Sequence, residues 1–209
     1  MKRLALVASG LGVLLALLAL LVLPATARAT VMLALDLPHL VGRSDAIFVG
    51  KVVETRSRWT EDGRRIVTDA TLEVRQRIRG AAAGKRVVVR SLGGTVDGIG
   101  MRVAGAVALA KDEEVLLFTE RRGGHRFVVG MRQGMFRLAR DARGQARLQR
   151  SLQGLELIDP AKQQAPAAKL STASLSRFVE QIQQTISLCR RKPASCRHQL
   201  QLQPSSVAR

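Results

Sequence analysis

The chain of 209 residues has 34 Lys and Arg against 16 Asp and Glu, which gives a formal net charge of +18. Its length suits one domain with an appendage. Its charge suits either a solvated basic surface or an acidic partner such as an envelope polymer, polysaccharide, lipid headgroup or nucleic acid. With no Tyr, one Trp and five Phe, the composition argues against single-stranded nucleic acid, whose binding proteins stack bases on exposed aromatic rings.

The first 29 residues have the parts of a secretory signal peptide. These parts are a basic start, an apolar run, a helix breaker and a small-residue cleavage site: Lys2 and Arg3, residues 5–23, Pro24, and Ala27-Arg28-Ala29 before Thr30. Cleavage between Ala29 and Thr30 lowers the net charge to +15 and predicts a periplasmic or extracellular protein without a membrane contact of its own. An uncleaved membrane anchor is the alternative, because such an apolar run nearly spans a bilayer.

The region 44–138 predicts short antiparallel strands separated by glycine-rich and charged turns. Residues 64–79 alternate most regularly, with Ile66, Leu72 and Ile78 on one face and charged side chains on the other. A short helix is predicted within 30–43, where Asp36 caps the first turn. Further strands are predicted at 45–54, 85–92, 99–103, 115–120 and 126–130, followed by a hairpin at 134–150.

The C-terminal third predicts a linker, a helix and a tail. Residues 159–169 have the Pro, Ala and Gln composition of a linker. Residues 170–192 predict an amphipathic helix with Ser171 as its N-cap and Pro193 after its end. Its apolar stripe packs most simply against the β-domain, which spans 30–158, and the tail is 193–209. The stripe consists of Leu175, Phe178, Val179, Ile182, Ile186 and Cys189.

The chain has two cysteines, Cys189 and Cys196, separated by six residues near the C-terminus. In an oxidising compartment we expect a local disulfide between them. A zinc site with the nearby His198 is the alternative, but it needs a fourth ligand and a different spacing.

No pattern in the sequence predicts catalytic, cofactor-binding or metal-binding residues. The glycines of 93–100 invite comparison with a phosphate-binding loop, yet the GK[ST] ending is missing and a Val stands where the last Gly of G-x-G-x-x-G belongs. Close passage of the chain or a bulged loop between strands explains these glycines, and turn chemistry explains Asp97. Arg75, Arg77 and Arg79 have the spacing of a basic strand face, which suits a polyanion or water alone.

From residue 44 onward, the order of features resembles netrin-like domains, which include the tissue inhibitors of metalloproteinases. The matching segments are SDAIFVGKV, the alternating strand that ends in RQRIRG, KRVVVRS, the glycine-rich loop, VLLFTE and RFVVG. The chain is also similar to uncharacterised exported bacterial proteins that share DAIFVGKV, GGTVDGIGMRVAG and EEVLLF. The resemblance implies an OB-like closed barrel of about five strands with helices outside.

The metalloproteinase inhibitors chelate zinc through an N-terminal cysteine of the mature chain. Here Thr30 is the predicted first residue and no Cys precedes Cys189, so only the scaffold is carried over. We expect an all-β, OB-like or netrin-like antiparallel barrel with a short N-terminal helix and one C-terminal amphipathic helix.

The expected function is non-catalytic recognition of a protein or cell-envelope partner through loops of the barrel. The candidate loop residues are Gly93, Gly94, Asp97, Arg121, Arg122 and His125. Polyanion binding through Arg75, Arg77 and Arg79 is the alternative. A protease inhibitor and a hydrolase that uses dispersed carboxylates are weaker possibilities.

Overall fold

A computed structural model describes residues 30–80, 85–152, 155–158 and 173–196. The predicted signal peptide, the predicted linker and most of the predicted tail lie outside these residues. Within the described stretches, no helix is both long enough and apolar enough to cross a membrane.

The described chain contains twelve strands, two α-helices and two short 3-10 helices. The strands are β1 (Thr30–Leu33), β2 (Ala46–Trp59), β3 (Ile66–Arg79), β4 (Arg86–Leu92), β5 (Gly94–Val96), β6 (Ile99–Met101), β7 (Glu114–Arg122), β8 (His125–Val128), β9 (Met135–Arg140), β10 (Ala146–Gln149), β11 (Leu155–Ile158) and β12 (Ala173–Ser174). The helices are α1 (Leu37–Arg43) and α2 (Leu175–Arg191), with short 3-10 helices at Met131–Gly134 and Pro193–Cys196.

Eight of the strands form one antiparallel sheet in the order β12-β10-β9-β7-β2-β3-β4, with β8 also paired to β7. The first half of β7 pairs with β9 and its second half with β8. Two small ladders lie outside this sheet: β1 pairs in parallel with β11, and β5 pairs with β6 in a hairpin. The prediction of a mostly antiparallel β-fold with two helices is confirmed.

Strands β4 and β8 come within 8 Å of each other at their Cα atoms. No ladder joins them, so the described strands do not close into a hydrogen-bonded barrel. Both strands are two antiparallel steps away from β2, one through β3 and the other through β7, so they run in the same direction. We call the line along which they meet the seam.

The main sheet carries an apolar cluster on each of its faces. The cluster on one face contains Phe48, Val52 and Leu117. The cluster on the other face contains Ile47, Phe118 and Ile182 and lies between the sheet and the two helices. The predicted stripe of α2 is confirmed: Val179, Ile182 and Ile186 are buried in the second cluster, and Leu175, Phe178 and Cys189 pack beside it. Apolar burial on this face therefore fixes the helix to the β-domain.

Strand β3 follows the predicted two-residue period only in part. Its ladder with β2 shifts register three times, and one shift leaves Ile78 without a partner between Arg77 and Arg79. Arg77 lies opposite Phe48 and Arg79 opposite Ile47, two adjacent residues of β2 that belong to different clusters. Because a bulge of this kind reverses the alternation, Arg77 and Arg79 belong to opposite faces of the sheet.

The predicted caps are correct for α1 and wrong for α2. The Asp36 carboxylate accepts a bond of 2.9 Å from the backbone N–H of His39, as the sequence predicted. Helix α2 begins three residues later than the N-cap assignment to Ser171 required, because the Ser174 side chain accepts the N–H of Arg177. Ser174 also ends β12, so the strand fixes the start of the helix.

The predicted disulfide between Cys189 and Cys196 is confirmed, and it joins the last turn of α2 to the 3-10 helix Pro193–Cys196. Cys196 is buried against Gly42 of α1. A Cβ atom on Gly42 would collide with the carbonyl group of Cys196, so the two backbones meet at a distance that only glycine permits.

Candidate binding cleft

Two adjoining cavities open beside the C-terminal end of β4. The larger has a volume of about 590 Å³ and the smaller about 380 Å³, and they share the lining residues Ser91, Leu92, Ala106 and Val107. We call them together the cleft, and the smaller one, which follows the seam, the seam groove. The larger cavity adds residues of the β5–β6 hairpin and the segment 102–109, and the seam groove adds Arg90, Arg122, Phe127, Val128 and Met131.

The β5–β6 hairpin forms one wall of the cleft. Asp97 and Gly98 both have positive φ, 49° and 78°, as a two-residue hairpin turn requires. A Cβ atom on Gly94 would collide with the side chains of Ser57 and Thr68, and one on Gly93 would press on the Met101 carbonyl oxygen. The chain therefore passes close to its neighbours at Gly93 and Gly94, whereas a Cβ atom on Gly98 would have open space around it.

A short chain of hydroxyl groups fastens this wall to the sheet. The Thr68 hydroxyl donates to the Gly93 carbonyl oxygen at 2.7 Å and lies 2.9 Å from the Ser57 hydroxyl. Since the Thr68 hydroxyl has one proton, the Ser57 hydroxyl is the donor in the second bond. The wall is therefore held by β2 and β3 together.

The segment between β6 and β7 forms the opposite wall. The Arg132 backbone N–H donates to the Gly105 carbonyl oxygen at 3.1 Å, and its guanidinium donates to the Ala106 carbonyl oxygen at 3.3 Å. Val107 is buried in the cluster of Phe48 and Leu117. A segment with no regular secondary structure is thus anchored at both its backbone and an apolar side chain.

Arg90, which lines the seam groove, is ion-paired with the carboxylate of Asp69. The Asp69 carboxylate accepts bonds of 2.7 and 2.8 Å from Arg90 and of 3.1 and 3.2 Å from Arg58. The bonds from Arg90, supported by those from Arg58, hold the pKa of Asp69 below its ordinary value against the opposing effect of burial. The same pair raises the pKa of Arg90, so this guanidinium stays charged beside the groove.

We expect Asp69→Asn to lower the free energy of unfolding by about 1–2 kcal/mol at pH 7, since hydrogen bonds to charged groups contribute on this scale. A depressed carboxylate pKa stabilises the fold above the unfolded pKa, and this contribution is lost as the pH falls through the folded pKa. The difference between the wild type and Asp69→Asn should therefore shrink as the pH falls below about 4. Urea titrations at pH 7 and pH 3 measure it.

The matched control for this prediction is Asp97→Asn, at an exposed turn that tolerates either residue. This control should leave the stability unchanged at both pH values. A loss for Asp69→Asn that is the same at pH 3 as at pH 7 would contradict the ionic explanation.

The β7–β8 hairpin is fastened to the start of β2 through Asp45. The Asp45 carboxylate accepts the Arg121 backbone N–H at 2.7 Å and pairs with the guanidinium of Arg126. Arg126 also donates to the Thr119 hydroxyl at 2.9 Å. Because both strands of the hairpin are held, its exposed turn has a fixed base.

The structure brings together only some of the predicted loop residues. Gly93 and Gly94 line the larger cavity and Arg122 lines the seam groove. Asp97 and His125 are exposed and line neither cavity, and Arg121 also lies outside both. The first predicted loop and Arg122 of the second therefore border one continuous cleft, and the binding role of both loops stays a prediction.

The predicted basic face is divided. Arg75 pairs with Glu73 at 3.4 Å, and Arg79 donates to the Val41 carbonyl oxygen of α1 at 2.6 Å. Arg77 lies opposite Phe48, on the other face of the sheet from Arg79. The three guanidinium groups therefore do not form a single row.

Sequence reasoning missed Asp69, Arg90, Phe127 and the wall at 102–109. The alternation of β4 gave the only available signal, because it places Val88, Arg90 and Leu92 on one face.

Across the described stretches, no group of three His, Cys, Asp or Glu side chains is placed to hold a metal ion. No family model and no curated protein matches this chain.

Proposed function

We propose that this protein is an exported, non-catalytic binding module that recognises a protein or cell-envelope partner. The observation that carries the proposal is the cleft, because concave surfaces with a mostly apolar lining and a few placed polar groups are the usual binding sites of proteins. Its two walls are anchored by hydrogen bonds to the sheet and to Arg132, so the site is preformed.

We further propose that the scaffold is an OB-like barrel of netrin-like order. An OB-fold is a five-stranded, partly open barrel that binds ligands on its second and third strands and on the loop between its fourth and fifth. The strands β2, β3, β4, β7 and β8 correspond in number and order. The cleft then lies beside the third strand, and residues 121–125 form the last loop. This support is an analogy of fold.

The carboxylates of the described residues support a role without catalysis. A hydrolase of this type needs two carboxylates placed across a substrate. Asp69, Asp112 and Asp141 instead form ion pairs with Arg90, Lys51 and Arg147 at 2.7 to 3.0 Å. Polyanion binding through Arg75, Arg77 and Arg79 has less support, because these residues do not share one face.

The proposal predicts a partner whose capture depends on the cleft. The exported protein is immobilised and exposed to an envelope extract, alongside a variant with Thr95→Trp and Arg102→Glu in the cleft. Trp fills the cavity and Glu reverses a charge, so we expect the captured species to fall at least tenfold. Thr95 and Arg102 are both lining residues of the larger cavity.

The matched control carries Gln184→Trp and Arg177→Glu, the same changes on the exposed face of α2. It should capture the same species as the wild type. The proposal fails if nothing is captured above background, or if the cleft variant captures as much as the control.

A further inference from the structure

The seam groove has an apolar floor that remains accessible. Leu92, which lines the groove, is 36% exposed although it is a large hydrophobic residue. Phe127 of β8 and Met131 complete the floor and are partly buried. A groove of 380 Å³ is at the lower end of ligand-binding cavities, which span roughly 300–1,000 Å³.

Both charged side chains that line the seam groove are arginines. Arg122 lies over the Phe127 ring, with its guanidinium carbon 5.8 Å from the ring centre, and pairs with Glu120 at 2.5 Å. Arg90 approaches from the opposite strand and pairs with Asp69. Each guanidinium has five N–H donors, and the ion pair uses one or two nitrogens, so donors remain for a ligand.

The larger cavity repeats this sign of charge. Its charged lining residues are Arg102 and Arg132, and neither cavity is lined by Asp or Glu. A ligand that enters the groove therefore meets guanidinium N–H donors on both sides of an apolar surface. Carboxylates beside an apolar group match this arrangement, because Arg binds carboxylates through paired donors.

We propose that the seam groove binds an extended acidic peptide of a partner protein, with one large apolar side chain seated between Leu92 and Phe127. The flanking carboxylates of this peptide bind Arg90 and Arg122. An extended peptide is the occupant because the groove runs along two strands and its volume admits one or two side chains. This inference rests on the proposed function and names the chemistry of the partner.

The test uses random heptapeptides displayed on phage, selected on the immobilised exported protein. We expect the recovered peptides to share a large apolar residue with Asp or Glu within two positions of it. Synthetic copies are then titrated by fluorescence anisotropy. Leu92→Glu should raise their dissociation constant at least tenfold, Arg122→Gln at least threefold, and higher salt should weaken binding.

The matched controls lie on α2, where Leu188 is 39% exposed and Arg177 is also exposed. Leu188→Glu and Arg177→Gln should leave the dissociation constant unchanged. Thermal unfolding of each variant shows that it is folded, which is expected because the substituted side chains are exposed.

The inference is overturned if no peptide is recovered, if the recovered peptides lack acidic residues, or if Leu92→Glu binds them as the wild type does. Binding of phosphatidylglycerol vesicles that Leu92→Glu abolishes, without peptide binding, would overturn it in favour of a membrane surface. If envelope capture still depends on Thr95 and Arg102 while the peptides fail, the proposed function stands and this inference alone fails.

Discussion

Replacing Asp45 with Ala is expected to lower the free energy of unfolding by about 3 kcal/mol, because it leaves a charged side chain in the protein interior without its partner. Arg126 is only 8% exposed, and Asp45 is its ion-pair partner. The same change removes the acceptor of the Arg121 N–H. Urea unfolding of the variant and the wild type at pH 7 measures the loss.

A second substitution separates the charge from the packing. In Asp45→Ala with Arg126→Met, the buried charge is gone and a flexible apolar side chain takes its place, so most of the loss should be recovered. A double variant that is no more stable than Asp45→Ala alone would contradict this explanation. If the double variant also binds the selected peptides as tightly as the wild type does, the β7–β8 turn is held in place by its strands alone.

Replacing Ile182 with Ala is expected to lower the free energy of unfolding by about 3 kcal/mol, within the usual range for a buried Ile. Ile182 is on the inner face of α2 and is fully buried in the cluster that contains Phe118 and Ile47. The loss has two parts, the transfer of the missing methyl and methylene groups and the cavity that they leave. Thermal or urea unfolding of the chain measures it.

The control for this prediction is Gln184→Ala, at an exposed position of the same helix. Because Ala has the higher helix propensity, this variant should be neutral or slightly more stable. If Ile182→Ala cost less than about 1 kcal/mol, α2 would not be packed on the sheet in solution, since surface changes rarely exceed that value.

Local periodicity was enough to predict most of the elements. The alternation through Ile66, Ala70 and Leu72 predicted the first half of β3, and the stripe through Val179, Ile182 and Ile186 predicted the buried face of α2. Both patterns persist because each element buries one side, and burial selects for apolar residues at the period of the backbone. The cap at Asp36 was equally local, and it was also predicted.

The features that were missed depend on contacts between distant parts of the chain. The bulge at Ile78 is invisible in the alternation, because the residue that loses its partner is itself apolar and packs beside the core. The parallel ladder of β1 and β11 joins segments more than 120 residues apart, and no local pattern encodes such a pairing. Ser171 and Ser174 are equivalent as caps in sequence, and pairing of Ala173 and Ser174 with β10 decides between them.

The candidate site was predicted only in part, because it too depends on contacts between distant parts of the chain. Gly93 and Gly94 indicate a close approach of the backbone in the sequence. The side chains that Gly94 approaches, Ser57 and Thr68, lie on other strands. The seam groove depends on β4 and β8 coming together, and these strands are separated along the chain by a hairpin, an irregular segment and β7. Only the fold brings Leu92 and Phe127 to one surface.

The contact between Gly42 and Cys196 has a consequence for how this chain can evolve. The backbone of Cys196 occupies the space that any side chain at position 42 would need. The disulfide with Cys189 holds Cys196 there, so a covalent bond near the C-terminus restricts the choice of residue about 150 positions earlier. We therefore expect positions 42, 189 and 196 to be coupled: a substitution at one of them changes which residues are tolerated at the other two.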